Sequence, residues 1–216
     1  MADLVLLHTS EAHVARFEAL RDDIAPGAVL QHHVRPDWLE QARAEGLSAP
    51  LRAAFAGFVA TRSAPVLCTC TSLGPLADDS GAHRVDRPMM QAAARLGGPV
   101  AMAYCLDSTR APSLALLADC MAAAGNRNKI RPLEIPVAWP AFAAGDEARF
   151  ARVIARAVRL HLVAFPDTGA VVLAQVSMTP AADLLSDTDA VVLTSPGSAL
   201  RAALAPARQP PPDTVT

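Results

Sequence analysis

Two strand ends in this sequence carry side chains that could transfer a proton and bind an acid. The segment VLCTCTSLGPLAD, residues 66–78, follows an apolar run and contains Cys70 beside two hydroxyl residues. The segment VVLAQVSMTPAAD, residues 171–183, repeats this pattern 105 residues later but has Gln175 where the first segment has Cys70. A thiol can exchange a proton when its surroundings adjust its pKa, whereas a carboxamide cannot near neutral pH. The pattern therefore predicts one proton-transfer group in a site with two related halves.

Hydrophobic patterning predicts the elements that position these segments. Most predicted strands are continuously apolar, which is typical of parallel strands covered on both faces. The predicted strands are residues 4–9, 28–34, 64–70, 83–85, 99–105, 129–135, 170–175 and 190–195. The predicted helices are residues 11–23, 36–45, 49–62, 88–97, 109–124, 146–164, 179–186 and 197–205. We expect an α/β fold of two duplicated Rossmann-like or flavodoxin-like units, each with a parallel four-stranded sheet, related by a pseudo-twofold axis around a cleft.

The duplication also predicts the domain organisation. Residues 1–97 should form the first unit and residues 98–196 the second, with the boundary near Gly97-Gly98-Pro99. The helix at 197–205 could pack on either unit and is grouped with the first. Residues 206–216 are rich in proline and polar side chains, so we expect a disordered tail.

Composition excludes several classes of function. The chain has 216 residues, of which 52% are hydrophobic and 19% charged, as expected of a packed globular protein. Its net charge of −2, low aromatic content and lack of basic clusters argue against a nucleic-acid partner. The apolar run near the N-terminus is too short to cross a membrane, so we expect a cytoplasmic protein without a membrane partner. Its four cysteines should then be reduced.

The carboxyl ends of parallel strands are where open α/β sheets bind ligands. The residues predicted there are rich in hydroxyls and in types that begin helices, a combination that suits a carboxylate. No phosphate-binding glycine motif and no nucleophile-elbow motif is present. The side chains that we expect to bind substrate are His8, Thr9, Ser10, Thr71, Ser72, Ser108, Thr109 and Ser177.

The strand ends CTCTSLGP and LAQVSMTP resemble those of the aspartate/glutamate/hydantoin racemase superfamily. Its members pair two α/β units around a pseudo-twofold cleft, and each unit normally contributes one cysteine at this position. The resemblance implies proton transfer without a cofactor, one thiol removing the proton alpha to a carboxylate and the other delivering a proton to the opposite face. Cys70 matches the first catalytic cysteine, Thr71 and Ser72 match carboxylate-holding residues, and Gln175 stands in place of the second cysteine.

This departure makes the chain a divergent member with a single candidate thiol. We therefore predict a racemase-like isomerase or a decarboxylase-like lyase that acts on a small carboxylic acid. Cys70 would be the acid, base or nucleophile, and Gln175 would donate hydrogen bonds to a developing enediolate. The superfamily includes decarboxylases in which one cysteine protonates the enediolate that remains after CO₂ is lost.

Other interpretations remain open at the level of sequence. Without a second thiol, the chain could be a non-catalytic carboxylate-binding protein. Cys68 and Cys70 form a CxC pattern that could bind zinc with His8, His32 or His33, but that pattern is weak and we expect no metal. Cys68, Cys105 and Cys120 are expected to be packing residues. Alanine-rich helix faces would suit a homodimer.

Overall fold

The structure of this chain is a computed structural model that describes residues 1–205. It confirms the predicted fold class, because two parallel four-stranded sheets are flanked by helices. The strands are β1 (Leu4–His8), β2 (Leu30–Val34), β3 (Val66–Cys68), β4 (His83–Arg84), β5 (Val100–Tyr104), β6 (Ile130–Glu134), β7 (Ala170–Leu173) and β8 (Val191–Thr194). The helices are α1 (Ala12–Ile24), α2 (Pro36–Glu45), α3 (Ala49–Ala60), α4 (Gly74–Ser80), α5 (Arg87–Arg95), α6 (Asp107–Ala123), α7 (Trp139–Ala143), α8 (Glu147–Ala164) and α9 (Pro196–Leu204). The predicted tail, residues 206–216, lies outside the described residues.

The two sheets have the same topology, which is the structural evidence for duplication. Their strand orders are β2-β1-β3-β4 and β6-β5-β7-β8, and every neighbouring pair is parallel. Hereafter β1 to β4 and their connecting segments are the first half, and β5 to β8 and theirs are the second. Each half thus presents the carboxyl ends of its strands at one edge of its sheet.

The register of the central strands relates individual residues of the two halves. Val5 of β1 pairs with Val66, and Ala101 of β5 pairs with Val171. Because Val66 and Val171 are equivalent under the 105-residue repeat, Val5 and Ala101 are equivalent as well. Residues of the first strand and helix of each half therefore correspond at an offset of 96.

The predicted helix at 179–186 is wrong in detail. The chain forms two short 3₁₀ segments there, Val176–Ala181 and Asp183–Leu185. Pro180 lies inside the first of them, and its equivalent Pro75 lies in the first turn of α4. The first half has a 3₁₀ segment at the equivalent place, Thr71–Leu73, followed by α4.

Two helices link the halves through their packing. Buried side chains of α5, including Met90 and Ala93, pack with β5 and β7 of the second sheet. Those of α9, including Leu200, pack with β1 and β3 of the first sheet. The boundary near residue 97 stays a prediction, but α5 precedes it in sequence and nevertheless covers the second sheet.

The chain passes from α5 to β5 through a close backbone contact. A Cβ atom placed on Gly169 would lie 1.8 Å from the carbonyl oxygen of Gly97. Gly98 next to it has a φ of +82°, a conformation that favours glycine. This contact fixes the start of β5 against the start of β7. Within residues 1–205, no helix combines the length and hydrophobicity needed to span a bilayer.

Candidate functional site

A cavity of about 160 Å³ lies between the halves, at the carboxyl ends of the central strands. Eight of the ten residues that the sequence predicts for the site line it: Thr9, Ser10, Cys70, Thr71, Ser72, Thr109, Gln175 and Ser177. Ser108 does not line the cavity but contacts a residue that does. The structure therefore brings both members of the repeat, Cys70 and Gln175, to one enclosed space.

Cys70 lies just beyond β3 and immediately before the 3₁₀ segment at Thr71–Leu73. Burial raises the pKa of its thiol, although the Thr9 hydroxyl and the nearby backbone N–H groups of Leu73 and Ser72 act in the opposite direction. Desolvation outweighs these donors. The resting side chain is therefore a thiol, with three donors ready to stabilise the thiolate once it forms.

Gln175 is anchored by its carbonyl oxygen. Its Oε1 accepts hydrogen bonds from the backbone N–H groups of Cys105 at 2.6 Å and Leu106 at 3.3 Å. Because backbone N–H groups can only donate, they fix the oxygen on that side and leave the amide nitrogen as the free end of the side chain. Gln175 thus presents a hydrogen-bond donor at the cavity and is held there by the second half.

A cluster of hydroxyl groups connects the halves beside Cys70. Ser72 Oγ lies 2.9 Å from Ser108 Oγ and 3.4 Å from Thr109 Oγ1, both at the start of α6. Thr71 donates its hydroxyl hydrogen to the carbonyl oxygen of Ala174 at 2.9 Å. Ser72 and its partners can redirect their hydroxyls towards an anion, whereas the Thr71 hydroxyl is used to join the two halves.

His8 is placed differently from its prediction as a substrate-binding residue, because it is fully buried and does not line the cavity. Its Nδ1 lies 2.8 Å from Thr69 Oγ1, and its Nε2 lies 2.8 Å from Nδ1 of His32. His32 in turn lies 2.7 Å from a carboxylate oxygen of Glu18. Both ring nitrogens of His8 are therefore engaged in a chain that runs from the surface towards the floor of the cavity.

The burial of His8 predicts a pH-dependent contribution to stability. Desolvation, with smaller effects of His13 and His32, lowers its pKa from 6.5 to about 3. Between these values the unfolded chain binds a proton that folded His8 does not, so the free energy of unfolding falls as the pH falls. The slope is about 1.4 kcal/mol per pH unit for one such group. Urea unfolding between pH 4 and 8 should show a shallower slope for His8→Gln than for the wild type; an identical slope would contradict this prediction.

The cavity also contains residues that sequence reasoning did not select. They are His13, Leu39, Thr69, Leu106, Trp139, Phe142, Ala143 and Val176. Most are apolar and follow no motif, so little in the sequence distinguished them from core residues. His13 could have been found from the 96-residue offset, because it is the equivalent of Thr109, which was predicted for the site.

Metal-binding side chains are not grouped in this structure. Within residues 1–205 no set of three or more His, Cys, Asp or Glu side chains is placed to hold a metal ion. Cys68 of the CxC pattern is buried, and its Sγ lies 3.5 Å from the carbonyl oxygen of Cys70. Cys68, Cys105 and Cys120 are each part of a hydrophobic cluster. Burial raises the pKa of the Cys105 thiol to about 12.

Comparison with known proteins gives matches at the level of structure. No family model matches the sequence, and no curated protein sequence matches it. Allantoin racemase from Pseudomonas fluorescens superposes with a TM-score of 0.64 and 16% identity, over 94% of this chain and 89% of that one. Glutamate racemase from Francisella tularensis, in complex with D-glutamate, superposes with a TM-score of 0.68 and 9% identity, over 93% of this chain and 79% of that one. A mutant of arylmalonate decarboxylase in a sulfate-associated form superposes with a TM-score of 0.53 and 15% identity, over 93% of this chain and 91% of that one.

The likeness in each case extends over nearly the whole described chain and includes both halves. At these identities it establishes the fold and leaves the reaction to be argued from the site. This chain has the fold of the aspartate/glutamate/hydantoin racemase superfamily, as the strand ends around Cys70 and Gln175 predict.

Proposed function

We propose that this protein is a cofactor-independent enzyme that transfers a proton at the alpha carbon of a small carboxylic acid. It would act as a racemase-like isomerase or a decarboxylase-like lyase, with Cys70 as a catalytic thiol. The observation that carries the proposal is the position of Cys70, which lines a cavity between duplicated halves and faces donors that would stabilise its thiolate.

The protonation state of Cys70 suits an acid. Since burial raises the pKa of the thiol, it holds its proton at neutral pH and can deliver it to a carbanion or enediolate. The nearby Thr9 hydroxyl and the N–H groups of Leu73 and Ser72 favour the thiolate that remains. Thr9 and the 3₁₀ segment thus lower the cost of that step.

Neutral donors would hold the substrate carboxylate. Among the described residues, no lysine or arginine lines the cavity. The hydroxyls of Ser72, Ser108 and Thr109 lie together on one side, and the amide nitrogen of Gln175 faces the same space. Such donors stabilise an enediolate as an oxyanion hole does, since the negative charge on its oxygens grows as the alpha proton leaves.

The size of the cavity limits the substrate. Its volume of about 160 Å³ is close to that of an engineered cavity of about 150 Å³ that binds benzene. An acid with a short or single-ring substituent is therefore the expected size. Proteins with this fold include an allantoin racemase, a glutamate racemase and an arylmalonate decarboxylase, whose names indicate racemisation or decarboxylation of small molecules.

The test is hydrogen exchange at the alpha carbon. The protein is incubated in D₂O with a panel of small 2-substituted carboxylic acids, and deuterium incorporation is followed by NMR while CO₂ release is measured in parallel. We expect turnover of at least one acid. We also expect that turnover to be lost after alkylation, with peptide mapping used to verify that Cys70 is the alkylated residue. Binding without exchange or CO₂ release would instead support a non-catalytic carboxylate-binding protein. Cytoplasmic location and a homodimer stay predictions from the sequence.

A further inference from the structure

The cavity is lined by two side chains of types that serve in general acid–base catalysis. Among the described residues that line it, these are Cys70 and His13. His13 lies in the first turn of α1 and is 7% exposed. Its Nδ1 is buried without a hydrogen-bond partner in the described part of the chain. A buried, unpartnered imidazole at the wall of a ligand cavity is costly unless a ligand uses it.

The duplication places His13 on the side of the cavity that faces Gln175. At the offset of 96 residues, His13 is the equivalent of Thr109, and at the offset of 105 residues Ser177 is the equivalent of Ser72. Thr109 contacts Ser72, two residues after Cys70. The pseudo-twofold axis therefore pairs His13 with Ser177, two residues after Gln175, and both line the cavity.

Contacts across the halves support this placement. The ring of His13 packs against Phe142 of α7, with centroids 6.2 Å apart, and Phe142 belongs to the second half. One turn further along α1, Arg16 forms an ion pair at 3.5 Å with Glu147 of α8. The first turns of α1 thus face the second half, which contains Gln175, and His13 lines the cavity from there.

We propose that His13 is a second catalytic residue, which with Cys70 forms an imidazole–thiol pair for inversion at the alpha carbon. This assignment rests on the proposed function and narrows it to a racemase-like reaction. The imidazole would act as the second proton-transfer group, a role that the carboxamide of Gln175 cannot perform.

Both groups begin the reaction in a suitable protonation state. Burial, with a smaller effect of Arg16, lowers the pKa of His13 to about 4, so its ring is a neutral base. Its other neighbours are the neutral ring of His8, 6.3 Å away, and Phe142. Burial raises the pKa of Cys70, so its thiol is an acid. A substrate carboxylate nearby would stabilise the imidazolium that forms.

The proposed step conserves atoms and electrons. Neutral His13 removes the alpha proton from one face, and the C–H electron pair moves into the enediolate. The Cys70 thiol then gives its proton to the opposite face, where the same electron pair forms the new C–H bond. Imidazolium and thiolate remain, and solvent returns them to neutral imidazole and thiol. The opposite enantiomer reacts through the reverse steps, starting from the imidazolium and thiolate forms that proton exchange with solvent supplies, and no oxidant or co-reactant is consumed.

Two variants test the pair by stereochemistry. Each enantiomer of every acid in the panel is incubated in D₂O with wild type, Cys70→Ser and His13→Gln, and deuterium and enantiomer ratio are measured together. We expect each variant to lose about 10²–10⁴-fold in inversion. Cys70→Ser should still exchange the alpha proton of one enantiomer with retention, and His13→Gln that of the other. Inversion by His13→Gln at the wild-type rate would overturn the assignment.

His161→Gln is the matched control. His161 is also a buried histidine with an unpartnered ring nitrogen in the described residues, but it packs against Phe165 of the second half and does not line the cavity. We expect wild-type inversion from this variant. Equal losses in His13→Gln and His161→Gln would indicate a general effect of removing a buried histidine and would overturn the assignment.

A measurement on the wild type does not depend on how the variants fold. Benzoate is the probe, because its planar carbon next to the carboxylate resembles an enediolate. We expect it to slow alkylation of Cys70 and to shift the ring resonances of His13 but not those of His161. Protection of Cys70 without a shift at His13 would overturn the imidazole–thiol pair and leave a one-thiol enzyme. Exchange of the alpha proton by the wild type without inversion of any acid would lead to the same conclusion. Absence of both protection and exchange would count against the proposed function itself.

Discussion

Replacing Cys70 with alanine should lower turnover by about 10²–10⁴-fold, the contribution of one well-placed proton-transfer group. Turnover is measured as inversion at the alpha carbon or as CO₂ release, on whichever acid the panel identifies. The loss follows because Cys70 supplies a thiol to the cavity that no other lining residue among residues 1–205 can replace. The variant should still bind the acid, because the hydroxyls of Ser72 and Thr109, which line the cavity, are unchanged.

Two further variants separate chemistry from packing. Cys70→Ser keeps a polar group of similar shape, but a hydroxyl is too weak an acid to replace a thiol, so its turnover should also fall. Cys120→Ala removes a cysteine that is as buried as Cys70, each being 8% exposed, from a helix that does not line the cavity at that point. That variant should retain turnover. Wild-type turnover by Cys70→Ala would show that the thiol only packs.

Replacing Gln175 with glutamate should lower turnover by about 10²–10³-fold, the usual cost of losing one oxyanion-hole donor. The substitution preserves the shape of the side chain and an oxygen that can accept hydrogen bonds from the N–H groups of Cys105 and Leu106. It removes the amide donor from the cavity and places a negative charge near the substrate carboxylate. Stability should therefore change much less than activity.

The control is Gln31→Glu, which introduces the same charge at an exposed position in β2. Comparing the two variants by thermal unfolding and by turnover separates a local effect at the cavity from a change in net charge. If Gln175→Glu reacts as fast as Gln31→Glu, Gln175 has no part in stabilising the enediolate. Its role would then be limited to capping the two backbone N–H groups.

Most of the fold could be predicted because the same order of strands and helices occurs in both halves of the sequence. Continuous apolar runs predicted the central strands β1, β3, β5 and β7 to within a few residues, since strands buried on both faces have little choice of residue type. The helix at 179–186 was wrong in detail because an apolar pattern does not distinguish 3₁₀ from α-helical hydrogen bonding. Local hydrogen bonding, rather than hydrophobicity, decided that segment.

The residues of the candidate site that lie at or near the repeated strand ends could be predicted from the sequence. Eight predicted residues line the cavity because strand ends of a parallel sheet meet at one edge. The structure places His8 behind the cavity lining, since the direction of a side chain at a strand end depends on partners such as Thr69 and His32. His13 was missed because it begins a helix outside any motif.

The sequence by itself determined a duplicated α/β protein with one thiol and one carboxamide at equivalent strand ends. These are local properties, carried by residue type and by spacing along the chain. Tertiary structure alone decided that the halves enclose a cavity, that α5 and α9 pack across them, and that burial raises the pKa of Cys70 and lowers that of His13. Desolvation and contacts between halves depend on residues far apart in sequence, so they exist only once the chain is folded.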